Sequence, residues 1–102
     1  MKKNENSPKN GVKDLPLITV IARDRPGLVA QISSLLCEKG INIEEINQGV
    51  IKGNFFMIMA VDLAAASVSF DVLSRELKTL GKKIGADISL YNQRIFTAMN
   101  RV

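Results

Sequence analysis

The apolar positions of residues 17–40 predict a strand followed by a helix. Residues 17–22 follow Pro16 and are rich in β-branched side chains, so they form a strand that is apolar on both faces apart from Thr19. After a turn at residues 23–27, apolar side chains recur at helical spacing until Gly40, which ends the helix. These helical positions are Leu28, Val29, Ile32, Leu35 and Leu36.

The next apolar segment predicts a β-hairpin. A second strand begins at Ile41, and its apolar phase shifts near Glu44-Glu45, which indicates a β-bulge. Lys52-Gly53-Asn54 is typical of a hairpin turn, since Gly takes positive φ without strain. Residues 55–63 form a third strand that is again apolar on both faces.

The last third of the chain predicts a helix, a strand and a short helical segment. Ser69 or Ser67 can cap the helix and Gly85 ends it, while Ile88 and Leu90 alternate along a fourth strand. The apolar helical positions are Phe70, Leu73, Leu77, Leu80 and Ile84. A final helical spacing joins Ile95, Phe96, Met99 and Val102.

The order β-α-β-β-α-β predicts an α+β, ferredoxin-like fold. Its four-stranded antiparallel sheet has the order 4-1-3-2, with two helices on one face. We expect a polar tail over residues 1–15, one domain over 16–94 and an extension over 95–102. Strands one and three also offer apolar side chains to the face without helices. We expect a second protomer or the extension to cover that face.

Composition and charge narrow the possible functions. The net charge of the 102 residues is +4, and residues 1–14 hold four lysines against two acids, which leaves +2 for the domain and little support for nucleic-acid binding. The apolar run at residues 55–61 is too short to span a bilayer. No apolar stretch follows the first lysines, and Cys37 is the only cysteine. We therefore expect a cytoplasmic protein without a membrane partner.

Catalytic chemistry has little support in the sequence. The chain contains no His, which removes the commonest general base and the commonest metal ligand. Cys37 lies in the first helical pattern and is predicted to be a packing residue. We predict no catalytic residue, no metal site and no cofactor.

The turn Asp24-Arg25-Pro26-Gly27 is the strongest candidate for a binding site. The first amides of the helix suit a carboxylate, Gly27 lets a ligand approach the backbone, and Asp24 could accept an ammonium group. The same residues also describe an ordinary helix start, with Asp24 as N-cap and Pro26 in the first turn. Arg25 could face an anionic ligand or solvent.

The chain resembles the ACT domain family of small-molecule regulators. The resemblance covers residues 17–94 and is carried by strand one, by Asp24–Val29 at the start of the helix and by Gly40–Ile43 at the start of strand two. It looks most like the stand-alone bacterial and archaeal members without an assigned function. Those members also end in a segment similar to residues 95–102.

The resemblance implies amino-acid binding at the interface of a homodimer or a higher homo-oligomer. Family members take ligand groups from the turn after strand one and from the start of strand two. That implicates Asp24, Arg25, Pro26, Gly27, Leu28 and Asn42. Ala22 stands where amino-acid-binding members often have a His, which argues against a small polar amino acid. Asn42 could instead end the Gly40 turn.

Three further interpretations remain open. Gln48 could reach a ligand across the dimer seam or be a solvated residue of an edge strand. A module that binds only a regulated protein predicts no cavity beside Asn42. RNA binding would need aromatics on strands one and three, and neither Asn54 nor Met59 supplies one.

Overall fold

The computed structural model of the protein describes residues 15–99. Seven elements follow one another along this part of the chain. They are β1 (Leu17–Arg23), α1 (Leu28–Glu38), β2 (Asn42–Ile51), β3 (Asn54–Asp62), α2 (Phe70–Ile84), β4 (Ala86–Tyr91) and α3 (Gln93–Met99). The predicted tail, apart from Leu15, and the predicted helical position Val102 lie outside the described residues.

The four strands form one antiparallel sheet in the order β2-β3-β1-β4. This is the predicted order 4-1-3-2, and the ferredoxin-like fold is confirmed. Because β1 and β2 both run antiparallel to β3, their first residues lie at the same end of the sheet. We call the end at the Lys52–Gly53 turn the hairpin end. The other end, where Asn42 pairs with Asp62, is the far end.

The core lies between the sheet and the helices α1 and α2. Along β1, Ile18, Val20 and Ala22 are buried on this side, whereas Ile21 is exposed on the other. The same alternation holds in β3, where Phe56 is exposed between buried neighbours. The sheet face opposite α1 and α2, which we call the open face, therefore carries apolar side chains, as predicted.

The hairpin confirms the predicted bulge and corrects the predicted turn. The partners of β2 on β3 shift between Ile43 and Glu45, so the bulge lies where the apolar phase slips. The turn contains two residues, Lys52 and Gly53, with φ of 52° and 80°. Asn54 already pairs with Ile51 and belongs to β3. A two-residue turn with positive φ matches the twist of the strands, which explains the shorter turn.

The end of α1 explains why β2 begins one residue later than predicted. The Gly40 N–H donates to the Cys37 carbonyl at 3.1 Å, and the Ile41 N–H donates to the Leu36 carbonyl at 3.0 Å. This Schellman pair holds Ile41 in the helix end, with its side chain buried. Strand pairing therefore starts at Asn42.

The start and end of α2 follow the prediction. Ser69 is its N-cap residue, and its hydroxyl accepts a hydrogen bond from the Val72 N–H at 3.3 Å. Gly85 is the C-cap residue. Of the two serines that the sequence offered, Ser69 is therefore the cap.

Candidate functional site

The turn between β1 and α1 is exposed and bonded to two other parts of the fold. The backbone N–H of Asp24 donates to the Gly53 carbonyl at 2.9 Å. The Arg25 guanidinium donates to the carbonyl of Ile84, the last residue of α2. The turn is thus held between the β2–β3 hairpin and the end of α2.

Arg25 has a role that the sequence does not predict. The last carbonyls of a helix lack intrahelical partners and form the negative end of its dipole, so a guanidinium there is favourable. Arg25 supplies this group to α2 from a residue 59 positions away. The sequence left open whether Arg25 faces an anionic ligand or solvent, and neither alternative includes this contact with α2.

The start of α1 differs from an ordinary capped helix. Gly27 is the N-cap residue, with φ of 91°, and its carbonyl accepts from the Gln31 N–H at 3.0 Å. Asp24 precedes this position by three residues, so of the two alternatives left open for Asp24 the structure does not bear out the N-cap, and its role in binding stays a prediction. Pro26 lies outside the helix, two residues before its first residue, rather than in its first turn. Within residues 15–99, no side chain caps the first amides of α1, and amides at such a position can bind an anion.

The space above this helix start is open. No atom lies within 4 Å of the place where a Cβ on Gly27 would sit. Leu28, in contrast, is buried against the core. Leu28 can therefore contribute to binding only through its backbone N–H.

Asn42 lies at the far end of the sheet beside an open cleft. The cleft of about 500 Å³ lies between α1 and the start of β2, and it is lined by Ser33, Leu36, Cys37, Gly40, Ile41, Asn42 and Ile43. The Asn42 side chain is exposed, and its amide donates to the Glu44 carboxylate at 2.5 Å. A module that binds only a regulated protein predicts no cavity beside Asn42, so this cleft does not agree with that interpretation.

Within one chain, Asp24 and Asn42 lie at opposite ends of the sheet. Asp24 is bonded to the hairpin at Gly53, whereas Asn42 pairs with Asp62. The nine residues of β3 from Asn54 to Asp62 are separated by eight steps of about 3.3 Å, or about 26 Å in all. A ligand of amino-acid size cannot contact both residues of the same chain, so a site that uses both requires two chains.

Gln48 lies on β2, the edge strand at one side of the sheet. It pairs with the buried Met57 and shares the helix side of the sheet with Ile46 and Val50. All three β2 side chains are exposed, because α1 and α2 cover the inner strands and leave this side of β2 bare. Gln48 therefore interrupts an apolar strip along β2, which is an edge strand of the sheet in the part of the chain that the structure describes.

The prediction that Cys37 is a packing residue is wrong. Cys37 is exposed and lines the cleft beside Asn42, because the step of about 100° per residue along the helix turns it away from the buried Leu36. Within residues 15–99, no group of three or more His, Cys, Asp or Glu side chains is placed to hold a metal ion. In the same residues, no helix is long and apolar enough to cross a membrane.

The sequence model of the ACT domain matches residues 15–91, the segment that contains all four strands and both core helices. The chain belongs to the ACT domain family. Similar proteins include the UPF0237 proteins of Methanopyrus kandleri and Clostridium acetobutylicum. Each is 45% identical over 86 residues, which are 84% of this chain and 96% or 97% of the relative.

Solved structures agree with this assignment. An ACT domain protein from Streptococcus pneumoniae is similar with a TM-score of 0.70 and 31% identity, over 79% of this chain and 91% of that one. A formyltetrahydrofolate deformylase from Pseudomonas putida has a TM-score of 0.68 at 16% identity, over 76% of this chain and 28% of its own. The second likeness shows the fold alone.

Ala22 marks a difference from amino-acid-binding ACT domains at this turn. It is buried on the helix side of β1, next to Phe55 and Ala86. The position where such members often carry a His is therefore filled by core packing in this ACT domain. It offers no polar group to a ligand.

Proposed function

We propose that this ACT domain is a cytoplasmic regulatory module, rather than an enzyme, that binds a small carboxylate-bearing ligand between two copies of the chain. The observation that carries the proposal is the start of α1. No atom lies within 4 Å of the place of a Cβ on Gly27, and Asp24 is not the N-cap residue. Helix amides of this kind bind carboxylates and phosphates. A regulated protein is a further expected partner.

The strand β2 supplies the means of pairing. It has ten residues, one of its edges pairs with no other strand of residues 15–99, and the exposed apolar side chains Ile46 and Val50 lie along it. Such an edge is a template for a further strand. A second copy paired antiparallel about a two-fold axis at the middle of β2 extends the sheet to eight strands and joins the two apolar strips. Gln48 then lies at the seam.

This pairing brings the two halves of the candidate site together. A two-fold axis at Asn47 pairs residues of the same face, and because Glu44 is the extra residue of the bulge, it sets Asn42 opposite Ile51 of the second copy, at that copy's hairpin end. Asp24 of the second copy then lies three strand spacings away, or about 14 Å at about 4.8 Å per strand. A ligand and two side chains can span that gap, whereas about 26 Å separates the residues in one chain.

The chemistry of the two halves indicates the ligand class. The α1 amides receive a carboxylate, while Asp24 and Asn42 accept from an ammonium group. The cleft beside Asn42 adds apolar walls from Leu36, Ile41 and Ile43. With Ala22 in place of a polar side chain, these walls favour an amino acid with an apolar side chain.

A thermal-shift screen of amino acids and small carboxylates tests the proposal. A specific ligand at one hundred times its Kd adds about 2.7 kcal/mol of stability. Asp24→Asn and Asn42→Ala should each abolish the shift without unfolding the protein. Asp87→Asn, the same change as at Asp24 but on the exposed side of β4, is the control and should retain it. If no compound shifts the wild-type protein, the ligand-binding proposal fails and a module that binds only proteins is favoured.

A further inference from the structure

The strand β4 forms the second edge of the sheet, on the side opposite β2. Within residues 15–99 it pairs only with β1, and its register with β1 runs from Ala86 to Tyr91 without a bulge. Its six residues contain neither proline nor lysine. Proteins commonly protect edge strands with prolines, bulges or lysines, and an edge without them is a template for a further strand. The edge of β4 can therefore accept a strand from another molecule.

The helix α2 lies directly above this strand. A Cβ on Gly81 would approach the Ala86 carbonyl oxygen to 2.5 Å and the Ile88 Cγ1 to 3.4 Å, so α2 packs closely on the first half of β4. The side of α2 that faces α1 lines the groove between the two helices, and its groove residues include Glu76, Leu80 and Lys83. The opposite side of α2 therefore faces outward above the β4 edge. We call this side the outer flank.

The outer flank of α2 is basic. At about 100° per residue, Lys78 and Lys82 lie on this flank, and Arg75 lies between it and the solvent-facing side. All three side chains are exposed, and within residues 15–99 none of them makes an ion pair. Among residues 70–84, the only acid on this flank is Asp71, in the first turn and at the other end of the helix from Lys82. Lys78 and Lys82 thus form a positive strip above the start of β4.

The spacing of these two lysines matches that of an added strand. Four residues of helix cover about 6 Å, and two residues of strand cover about 6.6 Å. Acidic side chains at alternate positions of a strand added to β4 all project to one side of the sheet, and on the helix side they reach Lys78 and Lys82. On the open face, the same edge carries Asp87, which disfavours acids at the intervening positions. The edge therefore selects a strand with acids on one face only.

A second copy of this chain does not supply such a strand. Two β4 strands paired about a two-fold axis would bring the two outer flanks together, with lysines facing lysines. The helix side of β2 carries only apolar and uncharged side chains, which are Ile43, Ile46, Gln48 and Val50. Within the described residues, no paired strand residue has an acid on the helix side. This favours a segment of another protein as the occupant.

We propose that the edge of β4 and the outer flank of α2 bind an extended acidic segment of the protein that this domain regulates. The segment adds one strand to the sheet, and its carboxylates on the helix side pair with Lys78 and Lys82, while Arg75 adds to the attraction. Main-chain hydrogen bonds to β4 supply affinity, and the charges select the sequence. The role of that partner rests on the proposed regulatory function, whereas the contact itself does not require a ligand.

Fluorescence anisotropy with synthetic peptides tests the contact on the full-length protein. The probe is a labelled peptide of about eight residues in which Glu and Val alternate, so that every Glu lies on one face of a strand. We expect saturable binding at about 0.15 M salt. A peptide of the same composition, with its Glu and Val residues in two blocks, should bind about tenfold more weakly. Equal binding of the two peptides, or binding of neither, overturns the proposal.

Charge reversal on α2 tests the strip itself. The double variant Lys78→Glu and Lys82→Glu should weaken binding of the alternating Glu peptide at least tenfold and should bind an alternating Lys and Val peptide, which the wild-type protein does not bind. A folding defect cannot produce this reversal. The control, Lys52→Glu and Lys83→Glu, makes the same change in net charge away from the outer flank and should keep the wild-type preference. If both double variants lose the Glu peptide equally, net charge alone causes the attraction and the proposal fails.

A nucleic acid is the alternative occupant of a basic surface. A labelled single-stranded oligonucleotide of equal length should bind more weakly than the alternating Glu peptide, and tighter binding would overturn the proposal. The ligand screen uses a different readout and a different edge of the sheet. Failure of the peptide to bind therefore leaves the ligand site standing, and the absence of a ligand leaves the peptide result standing.

Discussion

The substitution Gly27→Ala tests the backbone conformation at the start of α1, on which the proposed site depends. Gly27 has φ of 91° and ψ of −4°, the left-handed region that an L-residue with a Cβ disfavours. A methyl group there would meet no atom within 4 Å, so the substitution causes no clash with the rest of the fold. Any loss of stability must come from the backbone itself.

The expected loss follows from two opposing terms. Holding an Ala in the left-handed region costs about 1–2 kcal/mol. Ala has less conformational freedom than Gly in the unfolded chain, and this difference stabilises the folded protein by about 0.4–1 kcal/mol. We expect a net loss of about 1 kcal/mol in the free energy of unfolding, or about 4–8 °C in Tm for a domain of this size.

Urea and thermal denaturation followed by circular dichroism measure this loss. Gly27→Asn is the control, because Asn visits the left-handed region at lower cost and should fall between Gly and Ala. Equal stability of the Ala variant and the wild-type protein would show that residue 27 is not held at positive φ. The description of an uncapped, open helix start would then be wrong.

Three further changes probe the elements that position the site. Arg25→Ala removes the charged donor from the end of α2 and should lower stability by about 1 kcal/mol, measured by urea denaturation. Gly81→Ala should destabilise by about 1–2 kcal/mol despite the higher helix propensity of Ala, because its Cβ would lie 2.5 Å from the Ala86 carbonyl; an increase in Tm would contradict this. Ser69→Ala removes the cap of α2 and should cost about 1 kcal/mol, with Ser69→Asp retaining stability.

Most of the fold follows from periodicity in the sequence. The two strands that read as apolar on both faces, β1 and β3, are the central ones. The phase slip near Glu44 locates the bulge because one extra residue moves every later side chain to the other face of the sheet. These signals are local, so no tertiary information is needed to interpret them.

The geometry of the turn could not be derived in the same way. Asp24-Arg25-Pro26-Gly27 is compatible with a helix that starts at Pro26 and with one that starts after Gly27. The bonds from Asp24 to Gly53 and from Arg25 to Ile84 accompany the second arrangement, and both partners are distant in sequence. Local propensity contains no information about either partner.

The separation of Asp24 from Asn42 is different, since the predicted topology already implied it. In the order 4-1-3-2, β1 and β2 run parallel to each other, so the end of one and the start of the other lie at opposite ends of the sheet. The exposure of Cys37 was harder to predict. Cys37 follows the buried Leu36 by one helical step, and the apolar pattern alone does not show whether the core-facing side of α1 is wide enough to include it.

The central claim is that each ligand site takes Asp24 from one chain and Asn42 from another. The most direct measurement mixes Asp24→Asn chains with Asn42→Ala chains, unfolds and refolds them together, and titrates the best compound from the amino-acid screen by calorimetry. Half of the dimers are then mixed and each has one intact site of two, so about one quarter of the wild-type sites should return. If neither variant binds alone and the mixture also fails to bind, the site is not shared between chains and the account is contradicted.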